Sequence, residues 1–144
     1  MIVMRLSISR TDVWAATIDD RPGAVAEKLA ALAAAGAKLG FIIAPRMPEQ
    51  RGSGVLLVTP LKGAKQIRAA EKSGFQRTES LHSIRAEGPD KAGFGASMTQ
   101  AIAEAGINLR GLSAAAVGKR FVACLVLDTA ADATKVARIL GKLD

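Results

Sequence analysis

Two short stretches carry the residue types that could hold a ligand. Asp19-Asp20-Arg21-Pro22-Gly23-Ala24-Val25 leads into an alanine-rich segment that stops at Gly36. Asp90-Lys91-Ala92-Gly93-Phe94 opens a second apolar-periodic segment that stops at Gly106. Gly23 and Gly93 are 70 positions apart, as are Gly36 and Gly106. A glycine at a strand-to-helix turn lets a ligand approach the backbone with no Cβ in the way. The helix that follows presents unpaired N–H groups and a positive dipole end, which suit a carboxylate. A nearby aspartate, Asp20 or Asp90, can hold an ammonium group. The competing reading is structural: the aspartates cap the helices and the glycines merely turn the chain. Both readings stand at each turn.

Other chemistry has few parts to work with. His82 is the single histidine, so His-pair metal sites and Ser-His-Asp triads within one chain have little support. It is expected at a strand start, partly exposed. Cys124 is the single cysteine, which leaves no intrachain disulfide and fits a reducing cytoplasm. It lies in the hydrophobic run Phe121 to Leu127 and reads as a small buried apolar residue rather than a nucleophile. Gly93-Phe94-Gly95-Ala96-Ser97-Met98 begins like a dinucleotide fingerprint but lacks the third glycine. The carboxylate pairs Asp19-Asp20 and Glu87/Asp90 are placed at turns, where capping accounts for them. No enzyme class, catalytic residue, metal site or cofactor is supported, and the chain reads as a non-enzyme.

The composition narrows the partners. The 144 residues are 49% hydrophobic and 3% aromatic, so the core must be aliphatic and alanine-packed. The net charge of +7 raises nucleic acid as a partner, yet the 20 Lys and Arg are spread thinly from Arg5 to Lys142. Tyrosine is absent and Trp14 stands alone, which leaves no base-stacking platform. Leu29 to Pro45 is apolar, but Gly36 and Gly40 interrupt it and it falls short of the roughly 20 residues a membrane helix needs. Met1 to Ile8 alternates apolar with polar or small residues, unlike a secretory signal. A soluble, cytoplasmic protein is expected.

The elements that would position the two turns follow from period. Ile2 to Ile8 alternates as a half-buried strand, and Val13 to Ile18 is a second with Trp14, Ala16 and Ile18 on one face. Pro22 suits a first helical turn. Val25, Leu29, Leu32 and Ala33 recur at helical spacing. Lys38 to Ala44 reads as a mostly buried strand and Val55 to Thr59 as another. Lys62 to Ser73 reads as a helix that buries Ala64, Ile67 and Ala70. The second copy has candidate strands at 75–80 and 81–87, a helix burying Phe94, Met98, Ile102 and Ala105, and strands at 108–117 and 121–127. A helix at 131–140 ends it. The resulting fold class is α+β: two βαββα(β) repeats of ferredoxin-like order with antiparallel sheets and helices on one face. The domains are expected at 1–74, with an extra N-terminal strand, and 75–144. That extra strand either forms a hairpin, 2–8 with 13–18, matched by 75–80 with 83–87, or crosses over to complete the second copy's sheet.

With its first strand ending in Asp20-Arg21-Pro22-Gly23-Ala24-Val25, the unit resembles an ACT domain. Asp90-Lys91-Ala92-Gly93-Phe94 and Glu104-Ala105-Gly106-Ile107-Asn108-Leu109 carry the likeness in the second copy. Nearly the whole chain is covered, as a tandem pair. The resemblance implies a regulatory module that binds a small ligand, commonly an amino acid, often where two modules pack together. It places the ligand by the first turn, with an Asn after the helix as a frequent contact. The implied ligand-binding residues are Asp20, Arg21, Pro22, Gly23 and Ala24, then Asp90, Lys91, Ala92, Gly93 and Phe94, with Asn108. A homodimer and a regulated enzyme are the implied partners. Lys38 stands where the second copy has Asn108, and Ala92 where the first has Pro22, so the two sites need not be equivalent; the second is the better candidate. An assembly module without a ligand, or a basic nucleic-acid-binding module, are the alternatives.

Overall fold

The strands follow two-residue alternation and the helices a 3.6-residue apolar stripe. The computed structural model describes residues 6–47 and 49–143. Its elements are β1 (Ser7–Asp19), α1 (Ala24–Ala34), β2 (Phe41–Ile43), β3 (Ser53–Thr59) and α2 (Gly63–Lys72), followed by β4 (Gln76–Pro89), α3 (Phe94–Glu104), β5 (Gly111–Val117), β6 (Arg120–Leu127) and α4 (Ala130–Gly141). They form two compact units. One is Asp12–Thr78; the other joins the start of the chain, through Thr11, to Glu79 and beyond.

In the Asp12–Thr78 unit, Trp14, Ala16 and Ile18 share one face of β1. They stand opposite Val58, Leu56 and Gly54 of antiparallel β3. Leu32 of α1, Ala70 of α2 and Phe75 bury with them in one core. β2 pairs with the other edge of β3, and the first residues of β4 lie beside β1. There the Thr78 hydroxyl donates to the Val13 carbonyl at 2.9 Å. The Thr59 hydroxyl donates to the Asp12 carbonyl at 2.7 Å. Both are buried or half-buried backbone acceptors that gain a partner where the ladder ends.

The second unit repeats this plan. Ile84 and Ala86 of β4 face Leu125 and Ala123 of β6, and β5 pairs with the outer edge of β6. Phe94, Met98 and Ile102 of α3, with Ala133, Val136 and Leu140 of α4, bury against that strand face. The start of β1 takes the fourth place, next to β4, and Leu6 and Ile8 pack on this core. Each unit therefore has the expected α+β ferredoxin-like arrangement, with helices on one face. The fourth strand follows α2 in the first unit and precedes every other element in the second.

Several expectations change. β1 is one strand of 13 residues and β4 one of 14, so neither hairpin forms. Arg10-Thr11-Asp12 is polar but holds no glycine or proline, and it continues the pleat. Residues 2–5 of the expected first strand lie outside the described residues. His82 sits well inside β4, opposite Leu127 and half-buried, rather than at a strand start. β2 has three residues and is not mostly buried: at a sheet edge, Ile42 and Ile43 are exposed. β5 begins at Gly111, after Asn108. Ala33, Ala64 and Ala105 are exposed, because alanine fits a helix's outer face as readily as its inner one. No helix among the described residues is long and apolar enough to cross a membrane.

Phe75 is 1% exposed in the core of the Asp12–Thr78 unit, yet it lies beyond position 74. Loss of such a side chain costs about 3–5 kcal/mol. A fragment of residues 12–78 is expected to unfold at higher urea than one of residues 1–74. Equal midpoints would place the boundary at 74 instead.

Candidate ligand site at the strand-to-helix turns

Both turns have the same backbone. Gly23 and Gly93 are the N-cap residues of α1 and α3, with φ of 88° and 79°. This left-handed conformation favours glycine, since any Cβ would crowd the following carbonyl. No side chain caps either helix, so Asp20 and Asp90 are not the caps that the sequence suggested. Pro22 precedes the N-cap rather than opening the helix. The Asp20 amide donates to the Gly52 carbonyl, and the Asp90 amide to the Lys119 carbonyl, each at 2.8 Å. These equivalent bonds tie each turn to the hairpin beside it.

The side chains differ. Arg21 reaches across the first turn to Glu27, with Nη2–Oε2 at 2.8 Å and Nη1–Oε1 at 3.2 Å. Its Nε lies 3.7 Å from Asp19, while the Asp20 carboxylate is 3.2 Å from Arg46 Nε. Hydrogen bonding from Arg21 and its positive charge hold the Glu27 carboxyl below the usual range. Glu27 also occupies the first turn of α1, where its charge offsets the helix dipole. Ala24 is buried as the first helical residue.

The second turn has no such latch. No acidic residue stands in the first turn of α3, where Ser97 is the counterpart of Glu27. An added Cβ at Gly93 would meet nothing within 4 Å. The Phe94 amide donates to Lys91 O and the Ser97 amide to Gly93 O. The Gly95 and Ala96 amides between them have no carbonyl of the helix to bond. Asp90, Lys91 and Ala92 are exposed, whereas Phe94 is buried edge-to-face on Phe121, with ring centroids 5.3 Å apart.

Asn108 does not converge with this turn inside its own unit. It is exposed and follows the C-terminal end of α3, whose 11 residues separate it from Gly93. At 1.5 Å per residue that is about 16 Å, too far for one small ligand. The same holds for Lys38 and Gly23 across α1.

Sequence reasoning missed two ionic clusters. Arg21–Glu27 was legible as opposite charges flanking the turn six residues apart. Glu87 was expected at a turn but lies within β4, 2.9 Å from Arg85 and 3.5 Å from Arg120. Hydrogen bonding from Arg85 lowers its pKa most, with Arg120 adding to the effect. Cys124 is buried, and burial raises its thiol pKa.

No family model matches the sequence, and no curated protein does. Solved structures do match in fold. A protein from Bacteroides thetaiotaomicron has a TM-score of 0.74 at 14% identity, over 94% of this chain and 99% of its own. The ligand-free regulatory subunit of aspartate kinase from Thermus thermophilus has a TM-score of 0.65 at 19% identity, over 96% of this chain and 95% of its own. Aspartokinase III of E. coli, in complex with aspartate and ADP, has a TM-score of 0.56 at 15% identity, over 96% of this chain and 32% of its own. The fold is that of a tandem ACT-like pair.

In both ACT-like units the turn between first strand and first helix is exposed at the backbone, but only one helix start is neutralised by its own side chains. The Arg21–Glu27 pair is testable by titration. In Arg21→Ala the Glu27 carboxyl should titrate higher, toward the ordinary carboxylate value, by carbon-detected NMR. Since its pKa is depressed, the pair stabilises the fold above that value, and the contribution is lost as pH falls through the lowered pKa. An unchanged midpoint in the variant would show that Arg21 is not the cause.

Proposed function

We propose that this chain is a non-catalytic regulatory protein that binds an amino acid or similar metabolite at the start of α3. One observation carries the choice. The α3 N-terminus has no side-chain cap and no acid in its first turn, whereas Glu27 and Arg21 already occupy the α1 turn. A ligand carboxylate would accept from the Gly95 and Ala96 amides, with the Lys91 ammonium adding attraction. Asp90 would hold the ligand's ammonium group. Asp20, Arg21, Pro22, Gly23 and Ala24 form the equivalent but latched turn, which a ligand could enter only by displacing an existing ion pair.

The likeness in fold to regulatory subunits of aspartate kinase supports a regulatory role, and one such kinase structure holds aspartate. The separation of Asn108 from the Gly93 turn supports a ligand held between two modules. In the reading we favour, Asn108 of a second copy approaches the turn of the first, which makes a homodimer the binding form. The regulated partner is an enzyme that senses the bound and empty states. The latched α1 turn favours a second reading for the first unit: that it serves assembly and binds no ligand.

Isothermal titration of about 100 μM protein against the twenty amino acids tests the proposal, since micromolar affinity gives measurable heat at that concentration. Binding of at least one is expected, and Asn108→Ala, an exposed substitution, should weaken it about tenfold. Heat from none of the twenty would sink the amino-acid reading.

A further inference from the structure

The helical side of the Asp12–Thr78 unit carries a groove of about 350 Å³ between α1 and α2. Ala31, Ala34 and Ala35 form one wall, and Lys65, Arg68 and Lys72 the other. The three cations recur 70 residues on, as Lys135 and Arg138 of α4 and Lys142 at its C-terminal cap. Ala70 and Leu140, also 70 apart, are both fully buried, so α2 and α4 have the same rotation about their axes. The opposite helix does not match. Where α1 has Ala34, α3 has Glu104, so the second unit supplies an acid and the first supplies none.

None of the ion pairs among the described residues uses Lys65, Arg68 or Lys72, and all three are exposed. Their spacing of three and four places them along one helix face over about 10 Å, or two turns. Small alanine side chains opposite allow another backbone to come close. The Lys28 ammonium donates to the Ser73 carbonyl at the end of α2, which ties the two helices together before anything binds.

We infer that this groove docks an acidic, amphipathic helix of a partner protein. Carboxylates at i, i+3 and i+7 would meet the cationic wall, while small apolar residues rest on the alanines. A second copy of this chain is a poor occupant of this groove, because α1, α2, α3 and α4 each carry a single acidic residue and none offers carboxylates at that spacing. A nucleic-acid strand would find methyl groups on one wall and no aromatic side chain among the lining residues. The inference does not depend on the amino-acid site, and its test contains no free amino acid.

The test uses the full ¹⁵N-labelled chain and a synthetic helical peptide of about 15 residues built from Glu, Ala and Leu in that pattern. Amide shifts confined to 31–35 and 65–72 are expected. Affinity should fall about tenfold or more in Lys65→Glu/Arg68→Glu/Lys72→Glu, given three exposed pairs. Lys135→Glu/Arg138→Glu/Lys142→Glu should bind as the parent does. All six side chains are exposed, and spectra unchanged away from the substitutions confirm the fold. No shifts, or equal loss in both variants, would overturn the inference. So would tighter binding of a single-stranded oligonucleotide or inorganic phosphate at the same amides.

Discussion

A helix start can hold a ligand only if the helix itself is held, and burial of one face of α3 provides that hold. Met98 and Ile102 are fully buried against Ile84, Ala86, Ala123 and Leu125. Burial of each such side chain contributes about 1.5–3 kcal/mol. Phe94, the first helical residue, is wedged on Phe121 and fixes the residue next to Gly93. The backbone amides at the turn are therefore aimed by the core rather than by the turn itself. α1 is held in the same way through Ala24 and Leu32.

On this shared frame, electrostatics separates the two units. In the first, Arg21, Glu27, Asp19, Asp20 and Arg46 satisfy one another around the turn. Exposed pairs of this kind are each weak in water, but together they surround the start of α1 with paired charges. In the second, the corresponding helix start keeps its dipole unopposed. The cationic stripe of α2 and α4 reverses the pattern, with the acid present in the second unit and absent in the first. One fold, used twice, presents different charges at equivalent places.

Much of the frame was legible in the sequence. The alternation of Trp14, Ala16 and Ile18, and the stripe Phe94, Met98, Ile102, each identified a buried face correctly. Gly36 and Gly106 marked helix ends, where both have positive φ. The breaks expected at Arg10-Thr11-Asp12 and between residues 80 and 83 do not occur, because polar residues such as Arg10 and His82 resemble turns locally, while β1 and β4 run unbroken as neighbours in the sheet. Helix faces made of alanine were ambiguous, as Ala33 and Ala64 show. At the site, the glycines were legible from their role, but the capping aspartates were not: Gly93 itself occupies the N-cap, so Asp90 has no helix amide to cap. The distance from Asn108 to its turn needed the helix length, which periodicity alone leaves uncertain by a few residues.

The central claim is that a ligand carboxylate seats on the open start of α3. Amide chemical shifts of the ¹⁵N-labelled protein, followed during titration with whichever amino acid binds, test it most directly. The Gly95 and Ala96 amides should move most, and those of Val25 and Ala26 should stay in place. Movement at Val25 and Ala26 instead, with Gly95 and Ala96 unchanged, would contradict the account.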